Sequence, residues 1–357
     1  MSDLIVGVDI GGTKTAILVT EAGDELGGTV RARVIAPTAV GAPDRAANAI
    51  AVLVSAALDE AAATTQEVAA LGIGVPGRVD RERGHVTGAV NLDWHDLPLG
   101  PRLESRLGIP TVLENDVRAA ALGLHRRRVF GPTESLALLA IGTGIAAGVV
   151  LDGRLHRGAH GLAGEIGHVI IEPDGPRCAC GNRGCLEAVA AGPAIVARTR
   201  AGWAARRNGR APQPSEENFA DARDARDARG AGNVGEKNLD DAEGVFAAHA
   251  SGDAVAAEVI EAAGRAIAWS IHLLALAYDV ERIVIGGGVS HAGEPFMAPI
   301  RRELDRYRSA SALAAEVLLP DTVQLLPPDS DAGAWGAVTI AREFLGRRTT
   351  APAAVKG

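Results

Sequence analysis

Three cysteines occur in the 357-residue chain, and all three fall within eight residues: Cys178, Cys180 and Cys185. His168 stands shortly ahead of them. One imidazole and three thiolates are the donor set of a closed tetrahedral zinc shell, so the spacing predicts a structural metal site. A disulfide scaffold would spread its cysteines along the chain, and coincidental core thiols would not cluster. With one ring nitrogen of His168 on the metal, the other is left to hydrogen-bond outward to a polar ligand. Glu165, just before the histidine, and Glu187, just past the last cysteine, bring carboxylates to the same neighbourhood. Each has a plainer reading as a surface charge.

A second kind of chemistry is suggested by glycines. In Asp9-Ile10-Gly11-Gly12-Thr13-Lys14 the missing Cβ atoms let backbone amides approach an anion such as a phosphate. Asp9 at the strand end is placed for a magnesium ion bridging phosphate oxygens. The spacing is not that of a Walker loop, and a strand rather than a helix follows. Gly142-Thr143-Gly144 offers a similar turn, and the two together would clamp a polyphosphate. Gly286-Gly287-Gly288, at the carboxyl end of a strand, would let a flat ring approach the backbone. Hairpin turns and a strand-to-helix turn are the plain alternatives. Asp116 lies where a strand ends and a helix begins; it is either an N-cap or a general base for phosphoryl transfer to a hydroxyl, and the two roles are compatible. Asn115 beside it adds to the polar ring a sugar requires.

The elements that must carry these residues alternate in type. Apolar, β-branched runs at 4–8 and 16–19 flank the first glycine turn, and runs at 136–141 and 146–151 flank the second, a weak internal repeat of one hairpin. Between them the pattern predicts a helix over 44–63, a strand over 68–75 ended by Pro76-Gly77, a strand over 111–113 and a helix over 117–124. Beyond the second hairpin the chain reads as helical apart from a strand over 282–285. Interleaved strands and helices give an α/β fold. From about 206 to 238 apolar periodicity fades, and 221–229 is Asp-Ala-Arg written three times, which reads as a solvated insertion.

Composition removes several classes of function. Lys+Arg 36 against Asp+Glu 44 gives a net charge of −8, unsuited to a phosphate backbone, so no nucleic-acid partner is expected. The start of the chain has no basic region or cleavage signature, which points to a cytoplasmic protein. The most apolar helical stretch, 266–278, is interrupted by Ser270 and His272 and is shorter than the roughly 20 residues of a membrane span.

These motifs together resemble the ROK family of sugar kinases and related repressors, within the actin-like ATPase superfamily. The resemblance runs from about Leu4 to Leu345. Its most specific part is Glu165-x-Gly-His168 with Cys178-x-Cys-Gly-x-x-Gly-Cys185-x-Glu187; Asp9 to Lys14, Gly142 to Gly144 and Gly286 to Gly288 resemble the phosphate and adenosine motifs, and Glu114-Asn115-Asp116 the catalytic one. The resemblance implies a two-domain actin-like (ribonuclease H-like) fold, with a smaller domain over 1–114 plus 335–347 and a larger one over 115–334. It implies that Asp116 is the base and that Gly77, Asn91, Asn115, Asp116, Glu165, His168 and Glu187 hold the sugar. Nucleotide contacts would fall to Asp9, Gly11, Gly12, Thr13, Lys14, Gly142, Thr143, Gly144, Gly287 and Gly288, with Mg2+ and ATP as cofactor and donor, structural Zn2+, and a homodimer or homotetramer.

Two departures stand out: Ile145-Ala146-Ala147-Gly148 where the family carries more glycine, and Arg118 where it often has asparagine. Arg118 either changes the polarity of the site or faces solvent. Asn91-Leu92-Asp93-Trp94 resembles a glucokinase segment, whereas Pro76-Gly77-Arg78 is compatible with an N-acetylmannosamine or N-acetylglucosamine kinase. A sugar-sensing pseudo-kinase and a repressor are further readings; a repressor would carry a DNA-binding domain ahead of the first phosphate strand, which here starts at residue 4. Polyphosphate is the alternative phosphoryl donor.

Overall fold

The computed structural model describes residues 4–23, 28–39, 41, 43–89, 92–208 and 241–350. The insertion expected over 206–238 falls almost wholly outside them, as does Asn91. The chain divides into two compact units. One comprises Met1–Leu138, Gly148–Ala163 and Asp329–Gly357, the other Leu139–Ala147 and Gly164–Pro328.

In the first unit the glycine turn separates β1 (Leu4–Ile10) from β2 (Lys14–Glu21), followed by β3 (Val30–Pro37), α1 (Pro43–Glu60), β4 (Val68–Val75), a small β5 (Arg78–Asp80) and β6 (His85–Gly88) pair, α2 (Leu99–Leu107), β7 (Thr111–Asn115) and α3 (Asp116–Arg126). The sheet order is β3-β2-β1-β4-β7. β1, β2 and β3 pair antiparallel, while β4 and β7 continue parallel to β1. Alternation along β1 decides which residue goes where. Val6, Val8 and Ile10 join a core with Ile50, Val54 and Leu58 of α1 and Leu103 of α2. Gly7 and Asp9 therefore belong to the opposite face, which is covered by the helix Ala332–Thr350 (numbered α10 below). That helix lies very close: a Cβ on Gly7 would sit 2.6 Å from the Ala334 carbonyl oxygen, and one on Gly72 of β4 would sit 1.9 Å from that of Ala337.

The second sheet has the order β10-β9-β8-β11-β12. It comprises β8 (Leu136–Ile141), β9 (Ile145–Leu151), β10 (Arg154–His156), β11 (Arg282–Gly286) and β12 (Val323–Leu325). A three-strand meander followed by two crossover strands thus occurs twice, so the internal repeat extends beyond the hairpin. The helices are α4 (Leu186–Ala190), α5 (Gly192–Arg207), α6 (Ala242–Ala250), α7 (Ala254–Tyr278), α8 (Glu294–Ala310), α9 (Ala312–Val317) and α10 (Ala332–Thr350). The region after β9 is mostly helical, as expected, but the three-residue strands β10 and β12 are too short for a periodic signal. α7 is long and apolar enough to cross a membrane by length and composition; its Ile260, Ile267, Ile271 and Leu274 are buried in the second unit.

Candidate active site and metal cluster

In the first unit the junction of β7 and α3 separates two roles that the sequence left combined. Asn115, not Asp116, is the N-cap: its Oδ1 accepts from Arg118 N at 3.1 Å. The other end of the same side chain, Nδ2, donates to the Gly77 carbonyl at 3.2 Å. Gly77 has φ +86°, and a Cβ there would sit 1.9 Å from the Gly88 carbonyl oxygen, so only glycine fits. Asp116 is the first helical residue, half-buried, and its Oδ1 accepts from Val117 N at 2.9 Å.

Asp9 ends β1 on the same face. A Cβ on Gly74 would lie 3.5 Å from both Asp9 Oδ1 and the Asp116 Cα, and one on Gly333 would lie 2.0 Å from Asp9 Oδ2. The carboxylate is therefore wedged between β4 and the first turn of α10. Burial pushes the Asp9 carboxyl up to about 7; the Asp116 charge adds to this, Lys14 opposes it and Asp331 adds a smaller increment. Asp331 itself is gripped by Arg33, whose Nε and Nη2 donate at 2.8 and 2.6 Å. In the turn, Gly11 N donates to the Lys14 carbonyl at 2.9 Å and Thr38 Oγ1 to the Gly11 carbonyl at 2.7 Å. Gly12 and Thr13 are exposed, and a Cβ on Gly12 would meet nothing within 4 Å. Among the described residues, then, no atom demands glycine at position 12.

The second unit brings two of the expected nucleotide turns together. Gly142 N donates to the Gly144 carbonyl and Gly192 N to the Gly142 carbonyl, each at 2.9 Å, while a Cβ on Gly142 would be 3.8 Å from Gly288 N. Gly287 has φ +90°, and a Cβ there would strike the Ile141 carbonyl oxygen at 2.4 Å. Glu187 meets the same turn. Its Oε2 accepts from Ile145 N at 3.0 Å and lies 2.4 Å from where a Gly144 Cβ would be. Glu187, read from the sequence as a sugar ligand, braces the turn at 142–144.

His168, Cys178, Cys180 and Cys185 present ligand atoms all within 4.8 Å of one another. Cys178 Sγ is 3.6 Å from His168 Nδ1, and Cys180 Sγ is 3.6 Å from Cys185 Sγ. A tetrahedron with Zn–S of about 2.3 Å has S–S edges of roughly 3.8 Å, so these separations suit four ligands on one ion and exclude a disulfide. Nδ1 is the nitrogen turned to the sulfurs, which directs Nε2 away from them. The knuckle is shaped by Cys178 N donating to the Asn182 carbonyl at 2.8 Å and by Gly184, with φ +69°, where a Cβ would overlap the Glu172 carbonyl. Burial pushes the Cys178 and Cys185 thiols up, a penalty that a coordinated dication reverses by holding thiolates. Glu165 precedes the 3₁₀ turn Ile166–His168, and its carbonyl accepts from His168 N at 3.2 Å.

The residue that sequence reasoning left ambiguous is Arg118. It does not face solvent: the residue is 3 % exposed and its Nε donates to Glu114 Oε1 at 3.2 Å. Arg81 and Arg157 were not singled out, and Glu114 was named only as the first residue of the catalytic motif. The available signal was a carboxylate one residue before Asn115, in the apolar run of β7, where an unpaired charge is costly.

A ROK family model matches residues 5–343, and the chain belongs to the ROK family. It is 34 % identical over 352 residues to a glucokinase of Thermotoga maritima, covering 96 % of this chain and 98 % of that one. It is 32 % identical over 302 residues to an N-acetylmannosamine kinase of Citrobacter koseri, covering 84 % and 88 %. Among solved structures, a ROK family glucokinase from Streptomyces griseus in complex with glucose and AMPPNP superposes with a TM-score of 0.71 at 31 % identity, over 95 % of this chain and 99 % of that one.

Proposed function

We propose that the protein is an ATP-dependent hexose kinase that phosphorylates the 6-hydroxyl of glucose, with Asp116 as general base. The observation that carries the reading is the place of Asp116 in the first turn of α3, beside the same Gly74 that the Asp9 carboxylate borders. As the sugar O6 attacks the γ-phosphorus, its proton passes to Asp116, an O6–P bond forms, and the bond from the γ-phosphorus to the β,γ-bridging oxygen breaks to release ADP. Gly77, Asn91, Asn115 and Asp116, with Glu165, His168 and Glu187, hold the sugar. Asp9 and the turns at 11–14, 142–144 and 287–288 serve the nucleotide. Magnesium with ATP supplies charge neutralisation on the phosphates. The fit of Asp9 to that cation is supported by its burial and then by the neighbouring carboxylates, which together disfavour its ionisation until a positive charge arrives. His168, Cys178, Cys180 and Cys185 hold a structural zinc that fixes the imidazole. The likeness to an N-acetylmannosamine kinase supports the second reading, in which an acetamido sugar is the acceptor.

The test is a coupled assay at saturating Mg-ATP comparing kcat/KM for glucose and N-acetylmannosamine. A preference for glucose of tenfold or more supports the first reading; the reverse preference moves the assignment to amino-sugar metabolism. Activity on neither sugar removes both.

A further inference from the structure

The buried ion-pair network beside Asp116 has no part in the chemistry described so far. The Glu114 side chain is 1 % exposed and the Arg118 side chain 4 %. Glu114 Oε1 accepts from Arg118 Nε at 3.2 Å and from Asn115 N at 3.1 Å. Its Oε2 accepts from Arg157 Nε at 2.7 Å and lies 3.3 Å from Arg81 Nε. Arg118 uses its other edge too: Nη1 donates to the Gly161 carbonyl at 2.6 Å, while its backbone N–H donates to Asn115 Oδ1. One residue therefore joins the end of β7 and the loop at Gly161 through its side chain and the cap of α3 through its backbone N–H. Asp116 sits inside that bracket, between Asn115 and Arg118 in the chain.

Stability alone is a poor reason for such a network, because buried ion pairs roughly break even against apolar packing of the same volume. What a guanidinium supplies is a rigid planar fork that delivers two donors in fixed directions, which an ammonium on a flexible stem does not. We propose that Arg118, assisted by Arg157, is a positioning residue for phosphoryl transfer. It fixes the turn that aims Asp116 through Glu114 and Asn115, and pins the 157–161 loop through the Gly161 carbonyl. This rests on Asp116 being the base, and a base misplaced by about 1 Å loses on the order of a hundredfold in rate.

The test compares the full chain with its Arg118→Lys and Arg157→Lys variants, measuring kcat, KM for sugar and for ATP, the melting temperature, and hydrogen exchange over 157–163. The Ala163 amide, which donates to the Arg157 carbonyl at 3.1 Å, reports on the loop. Arg118→Lys is expected to lower kcat at least tenfold, leave KM for ATP within twofold, and speed exchange at 157–163. Arg157→Lys, whose side chain is 26 % exposed, is expected to show a weaker form of the same pattern and carries the comparison if Arg118→Lys does not fold. A kcat within twofold of wild type in both variants overturns the inference. So does a loss shared equally by melting temperature and KM for ATP, which is the mark of a structural role. If the unaltered chain phosphorylates no sugar, the kinase reading fails instead; exchange then decides the loop contact, and unchanged exchange overturns it.

Discussion

Asp9 is where the folded chain resists its own ionisation, and this makes a prediction of unusual sign. An aspartate in the unfolded chain titrates near 3.9, whereas burial, Asp116 and Asp331 hold this one at about 7 against the pull of Lys14. Between those pH values the folded state binds more protons than the unfolded state, so stability falls as pH rises from about 4, and the loss is complete above about 7. A gap of about three pH units corresponds to roughly 4 kcal/mol. The side chain is only half-buried, and screening reduces this to about 2 kcal/mol. Asparagine keeps the shape without the charge. Asp9→Asn should therefore melt about 3 °C above wild type at pH 8, at roughly 2.1 cal/mol/K of unfolding entropy per residue over the chain, and within about 1 °C of wild type at pH 4.5. The assay is calorimetry across pH in buffer free of divalent cations. Added Mg2+ should raise the wild-type melting point at pH 8 and leave the variant unmoved, while the variant loses turnover. Parallel melting curves for the two proteins from pH 4.5 to 8, or a less stable variant at pH 8, would refute the reasoning.

Asp116→Asn should keep sugar affinity and lose turnover by roughly 10²- to 10⁴-fold; a near-normal rate would remove Asp116 from the base role. In Gly144→Ala the new Cβ, 2.4 Å from Glu187 Oε2, must push that carboxylate off Ile145 N. Losing a charge-assisted hydrogen bond worth about 1.5–3 kcal/mol should raise KM for ATP roughly 10- to 100-fold, and an unchanged KM would show that the turn does not need its brace. Elemental analysis should find one zinc per chain. Its removal by a chelator should lower the melting temperature and weaken sugar binding, and a metal-free chain with both properties intact would defeat the metal assignment.

What the sequence disclosed was local. The strand over 68–75 and the strand over 136–141 have the bounds read from the pattern, because a run of buried, mostly apolar residues between turn signals needs no distant partner to be recognised. The cysteine cluster was legible for the same reason: its four ligands lie within one short segment. Relations across the chain were not. Glu187 reaches Ile145 over 42 positions and Arg118 reaches Gly161 over 43. Asp331 approaches Asp9 only because α10 returns to the first sheet. Nor does spacing say whether Asn115 or Asp116 caps α3, since both residue types favour that place and only the direction of the side chains decides.

The return of α10 also bears on the order in which the protein is made. β1 and β4 leave the ribosome early, yet the helix that covers their glycine-bearing face spans Ala332–Thr350. At about 5–20 residues per second, some tens of seconds of synthesis separate the strands from their cover. The first unit begun is thus the last that can close, and the stretch Gly164–Pro328 can condense while the earlier sheet still waits. A ribosome that stalls before α10 releases a chain with Gly7, Gly72 and Asp9 uncovered, so premature termination near the end is felt at the opposite end of the sequence.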